Sequence, residues 1–79
     1  MRIDKFLKVS RIIKRRTIAN EACEAGRVLI NDKVAKASAA VKIGDIIEVH
    51  FGTNSVRAEV LSLKETTKKE EAGELYKLL

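Results

Sequence analysis

The hydrophobic pattern of this chain changes its period once, at Gly26. Before that glycine, apolar residues recur at helical spacing, as Ile3, Phe6 and Leu7 do. After it, apolar and polar residues alternate, which is typical of half-buried strands. The chain has 79 residues, enough for one small domain. The sequence therefore predicts an N-terminal helical part followed by short strands.

Two helices are predicted before Gly26. The first begins near Ile3, and Ile12 and Ile13 extend or restart it. The second runs from Ile18 to Ala25 with Thr17 as its N-cap. Its buried stripe is expected to consist of two pairs at i, i+4 spacing: Ile18 with Ala22, and Ala19 with Cys23. Gly26 lies where a glycine in the left-handed conformation ends a helix.

Turn residues divide the second part of the chain. Asn31-Asp32 tolerates positive φ and predicts a tight turn, and further reversals are expected at residues 42–45 and 52–54. The strand Ile46–Phe51 is expected to bury one face, formed by the following residues: Ile47, Val49 and Phe51. A second half-buried strand follows, with these apolar positions: Val56, Ala58 and Val60.

The C-terminal segment is rich in Lys and Glu. Thr67-Lys68-Lys69-Glu70 fits a capping box and predicts a short helix through Leu78. We therefore divide the chain into a domain over residues 1–64 and a charged C-terminal helix or tail over residues 65–79.

Positive charge is concentrated at the N-terminus. The chain carries a net charge of +5, yet residues 1–16 alone carry +6, from seven basic residues and Asp4. The basic residues are Arg2, Lys5, Lys8, Arg11, Lys14, Arg15 and Arg16. A solvated helix face is the alternative interpretation of such a run. Because so little acid balances it, we favour a surface that meets a polyanion such as nucleic acid.

The residues give little support for catalysis, metal binding or membrane insertion. His50 is the single histidine and points outward on a predicted strand, while Cys23 lies on an apolar stripe as a small buried hydrophobe. One Cys and one His do not make a zinc site, and no Walker-type glycine loop is present. We therefore expect no enzyme activity, cofactor, metal or membrane partner. With one cysteine and no apolar N-terminal region, the cytoplasm is the expected compartment.

The expected mode of RNA binding is recognition of shape. Base stacking on single strands needs exposed aromatic residues, whereas Phe6 and Phe51 fall on apolar faces and are expected in the core. Arg and Lys would instead contact phosphates of a folded RNA. Asp4 has two interpretations that the sequence leaves open. It either holds an arginine in one rotamer, or favours the dipole at a helix N-terminus.

Several short motifs occur in an order that resembles the S-four RNA-binding domain. They are Arg2-Ile3-Asp4-Lys5-Phe6-Leu7, Arg11, Lys14-Arg15-Arg16-Thr17, Ala19, Gly26-Arg27-Val28, Asn31 and Gly44-Asp45. The resemblance covers about residues 1–51. It implies an α+β fold of the S-four (alpha-L) type, in which two N-terminal helices pack on a small antiparallel sheet and place their basic faces on structured RNA.

Among stand-alone members, the chain is similar to the fifteen-kilodalton heat shock protein family, and within it to the short ribosome-quality-control branch, the RqcP proteins. The run from Arg2 to Thr17 and residues 66–72 support this. The resemblance implies binding to a stalled large ribosomal subunit that holds peptidyl-tRNA. It also implies contact with rRNA and the tRNA, and support for an RqcH-type factor that adds C-terminal alanine. We expect a monomer when the chain is free.

The resemblance also assigns roles to the basic segment. Arg2 and Arg16 would contact rRNA with Asp4 supporting them. The further expected RNA contacts are Lys5, Lys8, Arg11, Lys14, Arg15 and Arg27. Three alternatives remain at this point. They are a ribosome assembly or structural rRNA-binding protein, a protein-interaction module that uses the C-terminal helix, and the RNA-targeting domain of a larger enzyme.

Overall fold

The helices and strands follow the predicted order. The computed structural model describes residues 1–65 and 68–79. Within these ranges the elements are α1 (Ile3–Val9), α2 (Arg16–Glu24), β1 (Val28–Ile30), β2 (Lys33–Val34), β3 (Ile46–Phe51), β4 (Asn54–Val60), α3 (Lys69–Ala72) and β5 (Tyr76–Leu78). The strands form one antiparallel sheet in the order β2-β1-β3-β4-β5. The predicted α+β architecture is therefore confirmed.

Helix α1 buries its apolar stripe completely, with Ile3, Phe6 and Leu7 each 0% exposed. The helix ends at Val9, so the expected extension through Ile12 and Ile13 is wrong. Arg11 turns the chain at φ 63°, a left-handed conformation that does not continue a helix. Ile13 is still buried, because its N–H donates to the Leu7 carbonyl and the chain folds back.

Helix α2 begins two residues earlier than predicted. Arg15 is its N-cap and Arg16 its first residue, so Thr17 lies inside the helix and the predicted Thr17 cap is wrong. The predicted stripe is correct for Ala19 and Cys23, which are buried, and for Ala22, which is half-buried and packs against the core. It is wrong for Ile18, which is 48% exposed.

The end of α2 is set by Gly26. Its φ of 76° is left-handed, as predicted. The Gly26 N–H donates to the Cys23 carbonyl and the Arg27 N–H to the Ala22 carbonyl, the pair of bonds that defines a Schellman motif. This motif leads directly into β1, so α2 and the sheet edge have a fixed relation to each other.

The predicted turns are present. Asn31 and Asp32 adopt φ 51° and 67° between β1 and β2, as a two-residue hairpin of the mirror type requires. Gly44 and Gly52 also have positive φ, in the reversals before β3 and after it. These glycines supply a conformation that side chains with a Cβ rarely adopt.

Strand β3 buries Ile47 and Val49 but not Phe51, which is 42% exposed. The expectation that Phe51 belongs to the core is wrong. Phe51 pairs with Asn54 at the tip of the β3–β4 hairpin, whereas β1 covers β3 only over residues 47–49. The alternation of apolar and polar residues in β3 continues to Phe51, beyond the residues that pair with β1.

The C-terminal segment returns to the sheet. Helix α3 has Lys68 as N-cap and ends at Ala72, and the predicted capping residue Thr67 lies outside the described residues. The expected helix through Leu78 is wrong, because residues 76–78 form β5 against β4. Leu75 is buried in the main core. The packing of Leu75 in the core and the backbone hydrogen bonds between residues 76–78 and β4 explain why these residues form a strand and not a helix. No helix in the described ranges is long and apolar enough to cross a membrane.

Candidate nucleic-acid interface

Arg2 is held by the chain that follows β2. It forms an isolated antiparallel bridge with Ala40. On either side, the Ile3 N–H donates to the Ala39 carbonyl at 2.8 Å and the Val41 N–H donates to the Met1 carbonyl at 2.9 Å. Residues 37–40 are all small, namely Ala37, Ser38, Ala39 and Ala40, and they belong to no helix or strand. Instead this segment fixes the backbone from which the Arg2 side chain projects.

The Asp4 carboxylate joins two arginines from different helix starts. Arg2 donates to it through Nε at 3.2 Å and Nη2 at 3.1 Å, a forked contact with both oxygens. Arg16, which lies twelve residues after Asp4, donates through Nη2 to Asp4 Oδ1 at 3.4 Å. We call these three residues the arginine cluster. A forked contact between guanidinium and carboxylate restricts the arginine in both distance and plane.

The Asp4 carboxylate is buried, whereas the two guanidinium groups are half-exposed. The side chain of Asp4 is 3% exposed, whereas those of Arg2 and Arg16 are 49% and 47% exposed. The carboxylate is therefore the inner member, and the guanidinium groups keep free donors on the solvent side. Each arginine has five N–H donors in a planar fork, so the donors that do not face Asp4 can contact an anion outside.

The Asp4 carboxylate stays ionised although it is buried. Burial alone would raise its pKa. Hydrogen bonds from Asn20, Arg2 and the Lys5 backbone N–H, together with the charge of Arg16, outweigh burial and hold the pKa of Asp4 below its ordinary value. A charged Asp4 can orient both arginines at neutral pH.

Sequence reasoning missed Asn20. Its side-chain amide donates to Asp4 Oδ2 at 3.4 Å. The arginine cluster, Asn20, Thr17 and Glu21 line an open pocket of about 460 Å³. Asn20 follows Arg16 by four residues, the spacing that places side chains on the same side of a helix. That spacing could have identified Asn20 once Arg16 was taken as functional.

The remaining basic residues of the N-terminal segment lie between Arg2 and Arg16 in the sequence. Lys8, at the end of α1, and Arg11, Lys14 and Arg15, in the corner before α2, are all exposed. Lys5 differs, because its ammonium group forms an ion pair with Glu65. The hydrogen bond and the charge of Lys5 lower the pKa of Glu65. The structure therefore places an acid beside one edge of the basic surface.

Arg27 lies apart from the arginine cluster, at the other end of α2. The His50 backbone N–H donates to the Arg27 carbonyl at 2.9 Å, so the two residues are neighbours across the start of β1. They line a second pocket, of about 300 Å³, which we call the α2–β3 pocket. Its apolar wall includes Ile18 and Phe51, the two residues whose exposure contradicted the sequence prediction.

The other chemistry-bearing side chains do not form a site. Burial raises the pKa of the Cys23 thiol to about 11, and the charges of Asp4 and Glu24 add to the effect. Cys23 is therefore a protonated, buried thiol at neutral pH. In residues 1–65 and 68–79, no three His, Cys, Asp or Glu side chains are close enough together to hold a metal ion.

Comparison with known proteins identifies the family to which this chain belongs. Residues 1–47 match the family model described as the S4 domain. A Bacillus subtilis protein named RQC P-site tRNA stabilizing factor is 57% identical over 100% of this chain and 92% of its own length. A protein of that name from Halalkalibacterium halodurans is 55% identical over 99% of this chain and 89% of its own.

A solved structure supports the same relationship. The trimeric structure of heat shock protein 15 from Vibrio cholerae superimposes with a TM-score of 0.91 at 30% identity, over 100% of this chain and 81% of that one. The predicted resemblance to the S-four domain and to the fifteen-kilodalton heat shock proteins is confirmed. The chain belongs to the S4 domain family, and within it to the group of proteins named RQC P-site tRNA stabilizing factor.

Proposed function

We propose that this chain is an RNA-binding factor of ribosome-associated quality control that stabilises P-site tRNA on a stalled large ribosomal subunit. In this role it supports an RqcH-type factor that adds C-terminal alanine to the nascent chain. It performs no chemistry itself and acts in the cytoplasm. The names of the full-length relatives support the pathway, and the basic surface supports the mode of binding.

The arginine cluster is the observation that carries the proposal. Two half-exposed guanidinium groups share one buried carboxylate, so their positions are fixed before any ligand arrives. Pre-positioned donors lose less conformational entropy on binding than free side chains do. The cluster suits the phosphates of folded RNA, which lie at fixed distances along a helical backbone.

The other basic residues extend this contact. The exposed side chains of Lys8, Arg11, Lys14 and Arg15 would contact further phosphates, and so would Lys5 and Arg27. We assign rRNA of the large subunit to the arginine cluster and further phosphate contacts, on rRNA or on peptidyl-tRNA, to the remaining basic residues. The free chain is proposed to be a monomer, with residues 65–79 as its charged C-terminal segment.

The proposed function can be tested by co-sedimentation with large ribosomal subunits, empty or carrying peptidyl-tRNA, at several salt concentrations. Phosphate contacts release counterions, so about five of them should give a slope of about −3.5 to −4.5 in a plot of log affinity against log salt. We expect this slope together with tighter binding to subunits that carry peptidyl-tRNA. Equal binding to empty subunits would favour an assembly or structural rRNA-binding protein, and absence of binding would reject an RNA role.

Arg16→Ala should weaken binding to these subunits by about 1–3 kcal/mol, because it removes a charge-assisted contact. Arg16→Lys keeps the charge but not the planar fork, and should recover only part of the loss. Lys77→Ala is the matched control. It removes the same charge from β5, outside the basic segment. If Lys77→Ala weakened binding as much as Arg16→Ala, only net charge would matter and Arg16 would have no specific contact.

A further inference from the structure

The α2–β3 pocket combines an exposed aromatic ring with basic neighbours. Phe51 and Ile18 are 42% and 48% exposed, although each lines a concave wall. The volume of about 300 Å³ lies at the lower end of the range for small-ligand pockets, about 300–1,000 Å³. Large apolar side chains exposed together in a concavity indicate a contact surface rather than ordinary scatter.

The pocket is continuous with the basic surface. Ile18, Ala22 and Ala25 of its wall lie along one side of α2. Arg15 is the N-cap directly before this helix, three residues ahead of Ile18. Glu21 lines both pockets. An RNA strand that contacts the N-terminus of α2 can therefore reach the α2–β3 pocket without leaving this helix.

The charges at the rim indicate where a phosphate would lie. Arg27 lines the pocket with His50, and the backbone bond between them fixes the rim. The His50 ring is itself directed to Glu48 Oε2 at 2.6 Å. Because Glu21 lies on the α2 side and would repel a phosphate, Arg27 is the favoured phosphate contact. The apolar wall between them then faces the attached base.

We propose that the α2–β3 pocket receives one unpaired base of the bound RNA, stacked on Phe51, with the adjoining phosphate on Arg27. This inference rests on the proposed RNA-binding function and adds a second kind of contact to it. Every base has a π-face, so stacking on one aromatic ring tolerates any sequence. The chain would thus recognise a place where a base leaves the helical stack, in addition to the shape of the backbone.

Substitutions of Phe51 test this stacking in full-length protein. The assay is binding to large subunits that carry peptidyl-tRNA. Phe51→Ala should weaken binding by about 5- to 150-fold, which corresponds to the ~1–3 kcal/mol of stacking per base. Phe51→Leu should also lose at least about 5-fold, because it keeps an apolar contact but not the ring, whereas Phe51→Trp should retain the affinity. Leu61→Ala is the control, since Leu61 is equally exposed but outside the pocket.

A photo-crosslinking experiment identifies the occupant. Phe51 is replaced by p-benzoylphenylalanine, and the protein is irradiated on the same subunits. A crosslink to RNA supports the proposal, whereas a crosslink to protein, or none while binding persists, overturns it. Equal affinity of Phe51→Leu and the unsubstituted chain would also overturn it. If the unsubstituted chain itself fails to bind, the proposed function fails instead, so the two failures are distinguishable.

Discussion

Replacing Asp4 by asparagine is expected to weaken RNA binding even though it removes a negative charge next to the RNA. Charge alone predicts the opposite sign, since one acid fewer reduces repulsion of phosphate. The arginine cluster predicts a loss of affinity. The neutral amide of asparagine has one acceptor oxygen and no charge, so it cannot replace the charged hydrogen bonds that hold Arg2 and Arg16. The sign of the change in affinity therefore shows whether Asp4 acts by orienting the arginines or only through its charge. An equilibrium binding titration with large subunits measures this affinity.

Glu21→Gln is the matched control for Asp4→Asn. It removes the same charge from the same pocket, but Glu21 is exposed and is not the carboxylate that holds the arginines. Its affinity should stay unchanged or rise. Stronger binding by both variants would mean that Asp4 acts only through charge.

Asp4→Asn should also lower the free energy of unfolding, by about 1.5–3 kcal/mol, the range for hydrogen bonds to a charged group. The pKa of Asp4 is lowered in the folded state. Its contribution is therefore fully present above the unfolded pKa and is lost as the pH falls through the folded one. The stability difference between the two proteins should be constant at neutral pH and shrink below about pH 4. Urea unfolding at several pH values measures it.

Phe6→Ala is expected to have the largest effect on stability, a loss of about 3–5 kcal/mol. Phe6 is 0% exposed and has the largest volume of the fully buried side chains in the described ranges. A domain of 79 residues has a total stability of roughly 4–12 kcal/mol, so this variant should lose at least about a quarter of it. It should also lose RNA binding, since α1 supports the arginine cluster. The midpoint of urea unfolding is the measurement.

Ile43→Ala controls for the general effect of losing an apolar side chain. Ile43 is 65% exposed, so its removal should change stability by about 0.5 kcal/mol or less. A similar small change for Phe6→Ala would contradict the assignment of Phe6 to the core.

The features that the sequence predicted correctly depend on the conformational preferences and spacing of neighbouring residues. The Asn31-Asp32 turn and the Gly26 helix end depend on φ preferences of the residues themselves, and both were correct. The buried stripe of α1 followed from helical spacing, and the family resemblance supplied the order of the remaining elements.

The sequence predictions were wrong where contacts with residues distant in the sequence determine the burial or the secondary structure. Phe51 continued an alternating pattern, but the pattern does not show that β1 ends before it. Residues 68–74, just before β5, are rich in Lys and Glu, which favour helix locally. Only pairing with β4 makes residues 76–78 a strand. Asn20 reaches Asp4 from sixteen residues away. Of the two interpretations of Asp4, the structure shows the one in which it holds an arginine, and it holds two. The sequence did not indicate the part played by Asn20 or the α2–β3 pocket.

The bridge between Arg2 and Ala40 has a consequence for short peptide mimics. A synthetic peptide of residues 1–26 would include the whole basic segment and both helices, yet would lack the strand-like partner that fixes Arg2. Helices of seven and nine residues are not stable alone in water. Such a peptide would attract RNA through its charge without presenting the two guanidinium groups at a defined separation. A competitor for this surface therefore has to contain residues 37–41 or a covalent replacement for them.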